Sequence, residues 1–186
     1  TPNFVGLLSQ AQTQGAKYIV IQNVSSPAAQ VAKDIKAGNL DMKIVCLNWC
    51  ADELFVKTAG ADNAQGHIMI QPFAPGTAAK EGHKAIDDYL KTKGSSLAAK
   101  GLHYAQGWYT MDVMAKGIEK VLAGGGKLTG EAIRSALETM DAVDTGGVVG
   151  TGKVKFSADS HRGSTGTGIY QVKNGKFVEI AANQVP

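Results

Sequence analysis

Apolar positions in the first seventy residues follow two alternating periods. Short continuous runs at residues 18–21, 43–47 and 67–70 are rich in Ile, Val and Tyr and too short for helices, so they predict three strands, the first of them buried. Between them the apolar residues recur at helical spacing. Phe4, Leu7, Leu8 and Ala11 share one face of a helix over 5–11, with Thr1 or Asn3 as its cap. Ala28, Val31, Ala32 and Ile35 share a face of a second helix, which has Ser26 as cap, Pro27 in its first turn and Gly38 at its end. A third helix runs from about Asp52 to Ala59. Strand and helix in alternation predict parallel strands with right-handed helical returns, and Pro72 and Pro75 make a stiff exit from the third strand.

The pattern changes after residue 76. A helix over 80–93 places Ile86, Tyr89 and Leu90 inward, and a longer one over 104–122 carries Trp108, Met111, Val113, Met114, Ile118 and Val121. Gly124, Gly125 and Gly126 stop it. Thr129 caps a further helix with Ile133, Ala136, Leu137 and Met140 at helical spacing. Three amphipathic helices with no strand between them require a sheet to lie on, which this stretch does not supply. In the tail, Lys155, Phe156 and Ser157 read as a strand ending in a polar turn, and Asn174-Gly175 between two alternating runs predicts a type I′ hairpin. An antiparallel end on a parallel beginning implies that the tail returns to something built earlier.

With 186 residues, 44% of them apolar, the chain can bury a core as one domain or two small lobes. A net charge of +3 from 19 basic and 16 acidic residues, without same-sign blocks, argues against nucleic acid as a partner. Arg134 and Arg162 are the only arginines, so bidentate clamping of a carboxylate must use one of these or backbone donors. No apolar run is long enough to cross a bilayer, and the chain opens at Thr1-Pro2-Asn3 without a basic-then-apolar leader.

Catalytic and metal chemistries find little purchase. Residues 147–153, GVVGTGK, imitate a phosphate-binding loop, but Val154 stands where a hydroxyl residue would meet magnesium, and a strand follows in place of a helix. His67, His83, His103 and His161 are scattered, with His83 on a solvent face, and none has triad spacing with a Ser or Cys. Asp87 and Asp88 are adjacent and read as solvated. Cys46 and Cys50 lack the further ligands that zinc requires. Two cysteines across an extended strand end start too far apart to bond unless a tight turn through Asn48 and Trp49 joins them, so the expected state is reduced and partly buried. No cofactor and no catalytic residue are expected.

Taken in order, residues 38–45 (GNLDMKIV), 63–66 (NAQG) before a strand, 72–75 (PFAP), the helix over 109–122 with its glycines, 128–137 (LTGEAIRSAL) and the tail from Phe156 to Phe177 resemble the carboxyl-terminal half of a periplasmic solute-binding protein, of the branched-chain amino-acid-binding type that serves ABC transporters. The resemblance spans essentially the whole chain. It implies an α/β, two-lobe fold in which a parallel sheet is flanked by helices and ends in an antiparallel tail. Residues 1–72 would be the later part of one lobe, 76–142 the helical part of the other, and 143–186 the return crossing and last strands. Members of the family are about twice this length. The resemblance therefore implies a missing amino-terminal half as partner, or self-association through the exposed faces of three helices.

The implied function is extracytoplasmic: a periplasmic substrate-binding component that closes its lobes on a small carboxylate, an aromatic acid or a branched-chain amino-acid-like one, and is read by an inner-membrane ABC permease. A ligand-sensing regulatory domain on the same fold is the alternative. Ligands of open parallel sheets sit beyond the carboxyl ends of the strands, which selects residues 22–26 and 48–52. Within them Asn23, Val24, Ser25, Asn48 and Trp49 are the candidate contacts, with Tyr104 and Trp108 as an aromatic wall from the other lobe. By resemblance, Val24 and Asn48 occupy places where amino-acid-binding members carry an aromatic residue and the acid that holds the ammonium group. Neither type is present here, which points to a ligand without an ammonium group. Plainer readings stand beside these: Trp49 packed on a helix, Trp108 in a core stripe, the Ser25–Ser26 pair as a helix cap.

Overall fold

A computed structural model describes residues 3–185, and the chain divides into two compact units. One takes the chain up to Gln71 together with Gly168–Gln184; the second takes Pro72–Thr167.

The first unit is built on a five-stranded sheet of order β1 (Tyr18–Ile21), β2 (Lys43–Cys46), β3 (Ile68–Gln71), β6 (Thr167–Lys173), β7 (Lys176–Gln184). β1, β2 and β3 are parallel, with Ile21 beside Cys46 and Cys46 beside Met69; β6 runs antiparallel to β3. The expected strands thus appear where the short apolar runs stand, but β1, expected to be buried, leaves Tyr18 and Val20 exposed at the edge of the sheet. Asn174 and Gly175 both have positive φ, 51° and 73°, as a type I′ turn between β6 and β7 requires. The returns are α1 (Val5–Thr13), α2 (Ser25–Ala37), α3 (Glu53–Ala59) and the single turn α4 (Ala61–Ala64). Ala28, Ala29, Ala32 and Ile35 of α2 are buried, and Ile44, Phe55 and Met69 are fully so. Each of these three large side chains contributes roughly 1.5–3 kcal/mol by leaving water.

Capping differs from the expectation in two places. Val24, not Ser26, is the N-cap of α2, because Ser25 is drawn inside the first turn. At α1 the N-cap is Phe4, not Asn3; the Asn3 carboxamide, one residue earlier, accepts from the Val5 N–H at 2.9 Å, Phe4 N–H donates to Asp34, and Thr1 lies outside the described residues. His67, just before β3, is 4% exposed, and its Nδ1 accepts from the Ile44 N–H at 3.2 Å, completing the ladder of β2. Burial, with Lys43 nearby, pushes its pKa down to about 4, and the Asn63 carbonyl opposes this only in part.

The second unit is mostly helical: α5 (Glu81–Lys91), α6 (Leu97–Lys100), α7 (Leu102–Ala123) and α8 (Gly130–Thr139), with a two-stranded sheet of β4 (Val143–Asp144) and β5 (Lys153–Val154). Its core joins Ile86, Leu90, Leu97, Ala105, Tyr109 and Val113 to Val143, Val148, Val149 and Val154. The segment after α8 therefore supplies part of the cover that the helices were expected to lack, while Met111 and Leu122 of α7 stay exposed. Thr129 caps α8 as expected, accepting from the Ala132 N–H.

Four assignments of facing or exposure change. On α7 the buried stripe is Leu102, Ala105, Tyr109, Val113, Gly117 and Val121, so Met111, 64% exposed, and Met114 lie off it. Gly117 belongs to the stripe because a Cβ there would stand 2.7 Å from the Leu137 side chain of α8. Tyr89 of α5 is 44% exposed and leans on Trp108 instead of entering the core. His83 is buried, not solvent-facing: Nδ1 accepts from the Lys80 N–H at 3.1 Å and Nε2 meets the Ala74 carbonyl at 3.0 Å. Burial is the main cause of its lowered pKa. Asp87, expected to be solvated, accepts from the Leu97 N–H and pins α6. Residues 147–152 form turns between β4 and β5, and Lys153 opens β5, with no helix after it.

Candidate functional site

The carboxyl ends of β1 and β2 are register neighbours, so the loops that leave them emerge side by side. The first, residues 22–26, runs straight into α2. Asn23 is exposed and its side chain accepts from the Val24 N–H at 2.8 Å; Val24 is exposed as well. Ser25 is buried, and its hydroxyl donates to Asp52 Oδ1 at 2.6 Å. The 13-residue α2 starts at this edge of the sheet, and the partial positive charge of its first turn favours an anion nearby.

The second loop is a 3-10 turn, Asn48–Cys50, followed by α3. Here the expectation of reduced cysteines is overturned. Cys46 and Cys50 form a disulfide, because the turn brings their Cα atoms to 5.4 Å, within bonding range despite the extended residues before it. Both cysteines are fully buried, while Asn48 and Trp49 between them face outward, Trp49 with 64% of its surface exposed.

Asp52 ends the loop and is 3% exposed. Its Oδ1 accepts from Ser25 Oγ and from the Phe55 N–H at 2.9 Å, capping α3 and tying the two loops together. Gln71, at the end of β3, donates its side-chain amide to the Asn48 carbonyl at 3.2 Å and the Ala51 carbonyl at 3.0 Å. The polar residue closing an otherwise apolar strand, ahead of Pro72, was the one sequence signal for Gln71. Ser25 was legible only as a cap or a ligand donor, since its partner lies 27 residues away.

Tyr104 and Trp108 lie in the second unit, on the first turns of α7, both half-buried. With Tyr89, His103, Met111 and Asp112 they line an open groove of about 640 Å³. The Tyr89 and Trp108 rings stand 5.3 Å apart, and Lys93 Nζ lies over the Tyr89 ring at 5.6 Å. Arg134, a possible clamp by its chemistry, pairs with Glu138 along α8, and His161 meets the same carboxylate. Among the described residues, no group of three His, Cys, Asp or Glu is placed to hold a metal ion, and no helix is long and apolar enough to cross a membrane.

The family profile described as Periplasmic binding protein matches residues 1–176. No curated protein matches the chain in sequence. Among solved structures, a branched-chain amino-acid ABC transporter protein from Thermus thermophilus with bound valine superposes with a TM-score of 0.88 at 22% identity, covering 99% of this chain and 50% of that one. A substrate-binding ABC transporter protein from Aeropyrum pernix gives 0.81 at 19% identity, covering 98% and 48%. A solute-binding protein from R. palustris in complex with benzoate gives 0.71 at 16% identity, covering 98% and 47%. The chain thus spans about half the length of the structures it matches. At these identities the likeness carries the fold, a two-lobe α/β arrangement with a mixed sheet and flanking helices.

Proposed function

We propose that this chain, which belongs to the periplasmic binding protein family, is part of the extracytoplasmic substrate-binding component of an ABC importer, and that residues 22–26 and 48–52 hold a small carboxylate without an ammonium group. One observation carries the choice of ligand. Asp52 is the sole acid in the two loops, and it is buried, engaged by Ser25 and by the amino end of α3. An amino acid presented to these loops would find no exposed carboxylate for its ammonium group, and leaving that charge without a partner is costly. An acid lacking the ammonium meets the amino end of α2 on its carboxylate and the indole of Trp49 on its apolar part. Tyr104 and Trp108 are the candidate contacts from the second unit. The function is binding and delivery, not catalysis, with an inner-membrane permease as the receiving partner. A disulfide between buried cysteines accords with the oxidising side of the membrane.

The test is a calorimetric and thermal-shift series with benzoate, phenylacetate, 2-oxoisovalerate, valine and leucine. The acids lacking an ammonium group are expected to bind and raise Tm, and Trp49→Ala is expected to weaken them. Binding of valine or leucine with none of the three acids would overturn the ligand class, and undiminished binding by Trp49→Ala would remove Trp49 from the site.

A further inference from the structure

The disulfide is placed where a ligand site needs stiffness. Cys46 ends β2 and Cys50 ends the 3-10 turn, so the bond encloses only Leu47, Asn48 and Trp49. Three buried attachments hold this short loop from the side of the sheet. The disulfide fixes its two ends, and Cys50 Sγ rests 3.4 Å from the Ile21 carbonyl oxygen at the end of β1. Gln71 holds the Asn48 and Ala51 carbonyls from the end of β3. Asp52, bonded to Ser25 and the Phe55 N–H, fixes the residue where the turn enters α3. Against these anchors, the large side chain that projects outward, next to exposed Asn48, is a tryptophan. A large aromatic on a braced turn loses little freedom when it contacts a ligand, because its backbone is already ordered.

We infer that the Cys46–Cys50 disulfide and Gln71 are positioning elements of the ligand site, holding Trp49 as a preformed stacking wall for the planar part of the ligand. The inference rests on the reading of residues 48–52 as part of that site. It makes binding depend on the thiol–disulfide state of a pair that does not itself touch ligand. Once the disulfide is opened, Leu47, Asn48 and Trp49 gain backbone freedom that must be surrendered on binding, and affinity falls by about tenfold.

The experiment compares wild type, the Cys46→Ala/Cys50→Ala double variant and Gln71→Met. Two readouts need no ligand: hydrogen exchange of the amides of residues 46–52, and time-resolved anisotropy of Trp49 in a Trp108→Phe background, which leaves one tryptophan. The third is calorimetry with benzoate as probe, on proteins that keep Trp108. The double variant is expected to show fast local motion of Trp49, faster exchange confined to 46–52, and about tenfold weaker benzoate binding from the ordering cost; Gln71→Met should move the same readouts by less. A Trp49 as immobile without the disulfide as with it overturns the inference, and so does a mobile Trp49 with unchanged benzoate affinity. If wild type binds none of benzoate, phenylacetate and 2-oxoisovalerate, the ligand class proposed above fails, while anisotropy and exchange still decide whether the brace orders Trp49. Should the double variant lose its fold, Gln71→Met, which keeps the disulfide, takes its place in every readout.

Discussion

Acidification should destabilise the first unit through His67, by an amount that the structure sets. The imidazole is 4% exposed, and its Nδ1 accepts from the Ile44 N–H, so the folded form requires that nitrogen unprotonated. A proton there would place two donors against each other inside the sheet. With a folded pKa of about 4 against 6.5 for the unfolded chain, the unfolded state binds more protons between those values. The neutral form's contribution is therefore fully present above about pH 6.5 and is lost as pH falls toward about 4. Linkage gives about 2 kcal/mol lost at pH 5 and about 3 kcal/mol at the lower limit. With a urea m-value of roughly 1–3 kcal/mol per molar, the midpoint at pH 5 should fall by about 1 M relative to pH 7.5. Trp49 fluorescence in a Trp108→Phe background reports this unit alone, which keeps His83, in the second unit, out of the signal. The control is His67→Gln, which retains an acceptor for the Ile44 N–H and does not titrate. Subtracting its pH dependence removes the carboxylates common to both proteins. Parallel curves for the two proteins between pH 7.5 and 5, or a measured His67 pKa near 6.5, would refute the reasoning.

Two further substitutions test the packing on which the candidate site and its neighbouring unit depend. A Cβ on Gly82 would stand 2.1 Å from the Thr145 carbonyl oxygen and 2.3 Å from Tyr109 Oη, which itself donates to the Gly82 carbonyl. Gly82→Ala should cost about 1–3 kcal/mol, since backbone cannot yield as a flexible side chain does, and calorimetric Tm of the second unit checks it. Asp52→Ala removes the cap of α3 and leaves the buried Ser25 hydroxyl without its acceptor. A loss of about 2 kcal/mol in urea unfolding is expected, with a rise in hydrogen exchange at both loops; Asp52→Asn should recover part of it.

The three parallel strands, the helices between them and the Asn174-Gly175 turn were legible because each depends on neighbours in sequence: a period, a cap, or a pair of residues that tolerate positive φ. The same local information marked the loops at 22–26 and 48–52, since the end of a strand is a local event. It failed wherever two segments compete for one face. Tyr89 and His83 share α5 and have opposite fates, His83 inside because the Ala74 carbonyl and the Lys80 N–H meet its two nitrogens, Tyr89 outside against Trp108. On α7 the stripe through Tyr109 prevailed over the one through Met111 and Met114, because Gly82 and Leu137 approach on that side.

What the sequence determined by itself was the main strands and helices, their polarity and the sheet edge that carries the candidate site. What only the tertiary structure decided was the state of that site: two cysteines bonded instead of reduced, Ser25 and Asp52 joined across 27 residues, and Gln71 holding the turn that carries Trp49. The physical reason is one of range. Helix and strand preferences are settled within a few residues, whereas satisfying a buried hydroxyl, carboxylate or amide requires partners that only the folded chain brings within hydrogen-bonding distance.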